Sequence, residues 1–139
     1  MGSRRKGREA ALRILYFMDV SAVSGTQAIK SYWGHLCGDE DSSEEVDFAN
    51  QLVQAYADHE DDVNELIRSA SHHWRIERMP IVDRNVLRVA IVELREMGDI
   101  PKRVTLNEAV ELAKRFGSED SGSFVNGVLD RIATELGKS

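Results

Sequence analysis

An all-α fold, six or seven helices in one bundle, is what this sequence predicts, on three observations. Apolar residues recur at three- and four-residue spacing along almost the whole chain, the period of a helix face. No sustained alternation of apolar and polar residues marks a strand. Only two prolines, Pro80 and Pro101, interrupt the pattern.

The first helix is predicted from about Arg5 to Val20, with the apolar stripe Ala11, Ile14, Leu15, Met18. Its cations sit in the first turns, the unfavourable end for a helix dipole. That mild conflict fits either a functional cluster or a frayed, solvated end. Ser24-Gly25-Thr26 breaks the pattern, and a second helix follows to about Cys37 with Ile29, Trp33 and Leu36 inward. A polar loop from Gly38 to Ser43 comes next. Ser42 with Glu45 has capping-box spacing and opens a long third segment to about Ser71. Its stripe is Val46, Ala49, Leu52, Val53, Tyr56, then Val63, Leu66, Ile67, Ala70. The acidic stretch Asp58 to Asp62 interrupts this stripe and is a candidate break.

Pro80 suits the first turn of the next helix, about Ile81 to Met97. Apolar groups cover most of that helix, which makes it the expected centre. Gly98 is placed as its terminal glycine. Thr105 with Glu108 is a second capping-box candidate, for a helix ending at Gly117. The last helix begins near Glu119 or Asp120 and carries Phe124, Val125, Val128, Leu129, Ile132 and Leu136. No internal repeat, low-complexity segment or linker divides the 139 residues, so one domain over 1–139 is expected.

With 42% hydrophobic and 30% charged residues, the composition is that of a soluble globular protein able to form its own core. No apolar run approaches the roughly 20 residues of a membrane span, and no secretory signal follows the basic start. A cytoplasmic location is expected. The single cysteine, Cys37, has no base or orienting group near it and reads as a small, partly buried side chain. The net charge of −6 is unevenly spread. Residues 1–13 hold Arg4, Arg5, Lys6, Arg8 and Arg13 against Glu9, a net of +4, and the remainder carries −10. Screening acts over about 8 Å at physiological salt, so a basic arm (residues 1–8) can grip a phosphate backbone although the whole chain is an anion.

Catalytic motifs are missing. HExxH, CxxC, GxxxxGK[ST] and GxGxxG do not occur. The carboxylates fall in solvated runs such as Asp58 to Glu65. His72 and His73 are adjacent and point about 100° apart on a helix, a poor geometry for sharing a metal. Neither an enzyme nor a cofactor or metal site is expected.

Two features fit nucleic acid. The first is the arginine-rich start, a source of sequence-independent affinity. The second is the stretch Gly117 to Gly127 at the start of the last helix. Helix N-termini favour anionic ligands. Phe124 has the chemistry to stack a base and Asn126 to bond a base edge. The spacing alone favours core for Phe124, and Asp120 or Ser121 serves equally as an N-cap. Asn126-Gly127 is a poor helix pair, explained by a close approach of another helix or of a ligand.

Asn107-Glu108-Ala109-Val110-Glu111-Leu112-Ala113-Lys114-Arg115-Phe116-Gly117, with Glu119-Asp120-Ser121 and Phe124-Val125-Asn126-Gly127-Val128-Leu129-Asp130, resembles the C-terminal signature of the NusB family. Trp74 to Arg78, Val82-Asp83-Arg84-Asn85-Val86-Leu87-Arg88 and Glu93-Leu94 resemble its central segment. Arg8-Glu9-Ala10 with Leu15-Tyr16 resembles its first helix. The resemblance implies one all-α domain of about seven helices in two subbundles. It implies a non-enzymatic antitermination factor that binds boxA-type single-stranded RNA with NusE, a small-subunit ribosomal protein. The pair would join antitermination complexes on RNA polymerase, notably during ribosomal RNA transcription. The implied RNA surface is Arg4, Arg5, Lys6 and Arg8 with Glu119, Asp120, Ser121, Phe124 and Asn126. The implied NusE surface includes Tyr16 and Asp83.

One departure is Ser123, where many members carry a basic residue. A fused RNA methyltransferase domain, another use of this fold, has no room in 139 residues. The competing readings are a protein–protein adaptor with an incidental basic arm, and a homodimer that hides the arm. Deleting residues 1–8 and titrating RNA separates the adaptor; light scattering separates the homodimer.

Overall fold

The run of small and apolar residues behind the basic start folds as a 19-residue helix, α1 (Ser3–Ser21). The cations are therefore its first two turns, not a separate arm. The computed structural model describes residues 3–36, 43–72 and 74–137. Cys37, the loop to Ser42 and His73 lie outside the described residues, as do the side chains of His35 and Leu36. The described residues form seven α-helices with two short turns of other helix types and no strand. They divide into two compact units, Met1–Asp58 and His59–Ser139.

In the first unit α1 packs on α2 (Gly25–Ser31) and α3 (Ser43–Asp58). Ser24 caps α2 by accepting from the Gln27 N–H at 3.2 Å. α2 then passes into a π-helical turn, Tyr32–Leu36. This shift corrects the predicted face: Ala28 and Tyr32 are buried, while Ile29 and Trp33 are half-buried. Trp33 keeps its indole N–H satisfied by donating to Asn50 at 2.8 Å. On α1 the buried set is Ala10, Ala11, Leu12, Ile14 and Leu15. α1 and α3 approach so closely at Gly7 that a Cβ there would lie 2.8 Å from the Phe48 ring and 3.2 Å from the Glu45 carbonyl. Glu45 is buried, and its predicted capping partner Ser42 lies outside the described residues.

The long third segment does break at the acidic stretch: α3 ends at Asp58 and α4 (Glu60–Ala70) begins after His59. The second unit continues through a single 3-10 turn, Ile76–Arg78, into α5 (Ile81–Glu96), α6 (Lys102–Phe116) and α7 (Ser121–Glu135). α5 is buried almost continuously from Asn85 to Leu94, because α4, α6 and α7 all pack against it. Two of its buried polar side chains, Asn85 and Arg88, bond each other. Asn85 donates to the Ile81 carbonyl at 2.9 Å and accepts from Arg88, whose Nε reaches Asn64 at 3.0 Å.

Two predicted helix signals are corrected here. Thr105 does not open α6, which starts three residues earlier after Pro101. The Thr105 hydroxyl is buried and donates to the Glu93 carboxylate of α5, a tertiary bond that competes with capping. Gly98 is not a left-handed cap: Met97 is the C-cap, and among the described glycines only Gly137 has a positive φ. No helix among the described residues is long and apolar enough to cross a membrane.

Candidate nucleic-acid interface

The start of α1 supplies one cationic surface. Arg4 and Lys6 are exposed and Arg5 is half-buried. Arg8 differs, being only 5% exposed. Both Arg4 and Arg8 hold their guanidinium carbons 5.6 Å from the centroid of the Phe48 ring, a cation–π distance. This packing fixes the charges on a rigid helix rather than a free tail. With no acidic residue in its first turn, α1 concentrates positive potential at that end.

The start of α7 belongs to the second unit. Glu119, Asp120, Ser123 and Asn126 are exposed there, and Phe124 is half-exposed. Ser121 departs from its expected role, because it is 1% exposed and its hydroxyl faces the interior. That hydroxyl donates to Asp83 Oδ1 at 2.6 Å and accepts from the Ser118 N–H at 3.0 Å. Gly117 leaves room for this arrangement; a Cβ there would sit 2.5 Å from the Ser121 hydroxyl. Asp83, expected on a partner surface, is itself only 4% exposed. The Asp83–Ser121 bond ties the first turn of α5 to the first turn of α7. Tyr16, by contrast, is 42% exposed on α1 of the first unit.

Phe124 is neither core nor a free ring. Trp74 packs edge-on against it, with centroids 5.5 Å apart and planes at 72°. Trp74 itself is 49% exposed. The chain reaches it through His72, whose φ of 59° places a non-glycine residue in the left-handed region. Arg84 braces the following turn by donating to the carbonyls of Ile76, Glu77 and Met79 at 3.2–3.4 Å. Arg75 pairs with Glu77 at 3.7 Å. The Glu77 carboxyl is held below its ordinary range, chiefly by its own backbone N–H, with Arg75 and other cations adding to it. Sequence reasoning gave Trp74 no site role. Its signal was a tryptophan in a wholly polar setting, Ser71 to Arg75.

The NusB family model matches residues 5–134. The chain belongs to the NusB family. The transcription antitermination protein NusB of Myxococcus xanthus is 45% identical over 141 residues, covering 99% of each chain. Among solved structures, NusB of T. maritima superposes with a TM-score of 0.86 at 34% identity, over 95% of this chain and 91% of that one. A structure of the antitermination factors NusB and NusE in complex with dsRNA gives a TM-score of 0.81 at 26% identity, over 97% and 98%.

Proposed function

We propose that this NusB-family chain is an antitermination factor that binds boxA-type single-stranded RNA together with NusE. The observation that carries the reading is the likeness, over 97% of the chain, to a NusB solved with NusE and dsRNA; that the strand is single rests on the base-recognition chemistry of Phe124 and Asn126. Arg4, Arg5 and Lys6 neutralise phosphates. Phe124 stacks and Asn126 bonds a base edge, while Glu119 and Asp120 offer acceptors to base amino groups. Arg8 and Ser121, both buried, hold these surfaces in place. Tyr16 contacts NusE. Asp83 supports the partner surface from within, through the helix start it secures. The pair works in an antitermination complex on RNA polymerase during ribosomal RNA transcription, with the 139 residues acting as a single binding module.

Deleting residues 1–8 is a poor test, because Gly7 and Arg8 are buried in the first unit. Replacing the exposed Arg4 and Lys6 together by Gln removes charge and leaves Gly7 and Arg8 in place, at the cost of the Arg4 contact with the Phe48 ring. In a titration of boxA-like single strand, the logarithm of affinity against that of salt should flatten by about 1.4, roughly 0.7 for each lost contact. A protein–protein adaptor predicts unchanged RNA affinity and slope with NusE binding intact. Light scattering with and without NusE reports whether a homodimer competes.

A further inference from the structure

We propose that a pocket between Trp74 and α7 receives one unstacked base of the bound RNA strand. Given RNA binding by the chain, on which this inference rests, the pocket adds a base-recognition subsite that the helix start alone does not provide. Its volume is about 430 Å³, within the range of small-ligand sites. Trp74, Phe124 and Val128 supply an apolar lining, edged by Ser71 and Ser123, whose hydroxyls donate to the Ile67 and Asp120 carbonyls.

Three observations select a base as the occupant. First, the Trp74 ring is half-exposed, held edge-on against Phe124, and so keeps surface open for stacking. Single-stranded recognition works by splaying bases onto such rings. Second, Arg131 lies at the same pocket, with one guanidinium nitrogen donating to the Ala70 carbonyl. A cation there complements the phosphate that enters with the base. Third, Gly127 leaves the pocket open from the α7 side. A Cβ at that position would meet only Arg131, at 3.9 Å. No neighbouring helix approaches it, so the weak helix former is explained by the space it preserves. The pocket shares Ser123 and Phe124 with the exposed start of α7, so a strand reaching one reaches the other.

The test uses the full chain and a boxA-like single strand carrying an abasic site at each position in turn. Gly127→Leu fills the pocket, and leucine is the better helix former, so α7 persists. One abasic position should weaken binding by the native chain on the order of tenfold, the scale of a lost stacked base. Gly127→Leu should weaken binding of the intact strand by a similar factor. Combining the two should cause no further loss, because both remove the same contact. Trp74→Ala should match Gly127→Leu. Tryptophan fluorescence should be quenched on RNA binding, and Trp74→Phe should abolish the quench while Trp33 still emits. Additive losses, or native RNA affinity in both Gly127→Leu and Trp74→Ala, overturn the subsite. Loss of NusE binding with RNA affinity unchanged overturns it too, in favour of a protein occupant. A native chain with no affinity for the strand overturns the RNA-binding reading itself.

Discussion

At the start of α7 two adjacent residues divide their work. Asp120 is exposed, while Ser121 is buried against Asp83. Ser121→Ala removes the donor from a buried carboxylate and should lower stability by about 1–3 kcal/mol, read by urea denaturation. RNA affinity should fall along with it, since the helix start loses its anchor to α5. Ser123, two positions on, is exposed beside the Trp74–Phe124 pair. Ser123→Lys adds a phosphate contact there. It should tighten binding of a boxA-like strand and steepen its salt dependence by roughly 0.7 in a filter-binding titration. An unchanged slope would mean that no phosphate passes that position. Side-chain chemistry at Phe124 and Asn126 is legible in the sequence. The direction of the Ser121 hydroxyl was not, because Asp83 lies 38 positions away in the chain.

Elements show how one residue type takes opposite signs in two helices. Gly7 in α1 sits where α3 presses on it, and Gly127 in α7 faces open space. Gly7→Ala gains helix propensity of about 1 kcal/mol but forces a methyl against Phe48 and the Glu45 carbonyl, an overpacking of about 1–3 kcal/mol. It should be net destabilising. Gly127→Ala meets no such obstacle and should stabilise by about 0.5–1 kcal/mol. Thermal unfolding of both variants checks the pair; equal signs would contradict the packing. Helical periodicity located all the helices because each buries one face. It misplaced the start of α6, where Thr105 has the look of a cap. Capping is a local signal, and the Glu93 carboxylate that takes the Thr105 hydroxyl belongs to another helix.

For the whole molecule, α5 is the helix against which α4, α6 and α7 of the second unit all pack. Ile91, fully buried on it, should cost about 2–5 kcal/mol as Ile91→Ala, measured by denaturant unfolding. A smaller cost would mean the neighbouring helices collapse into the space. The sequence by itself determined the helical class, the central place of α5, the gathering of positive charge at one end and the family. Those are properties of residue order and local periodicity. Only the tertiary structure decided which cations are exposed, that Asp83 and Ser121 face each other, and that Trp74 and Phe124 border a pocket opened by Gly127. These depend on contacts between residues far apart in the chain, which no short-range pattern records.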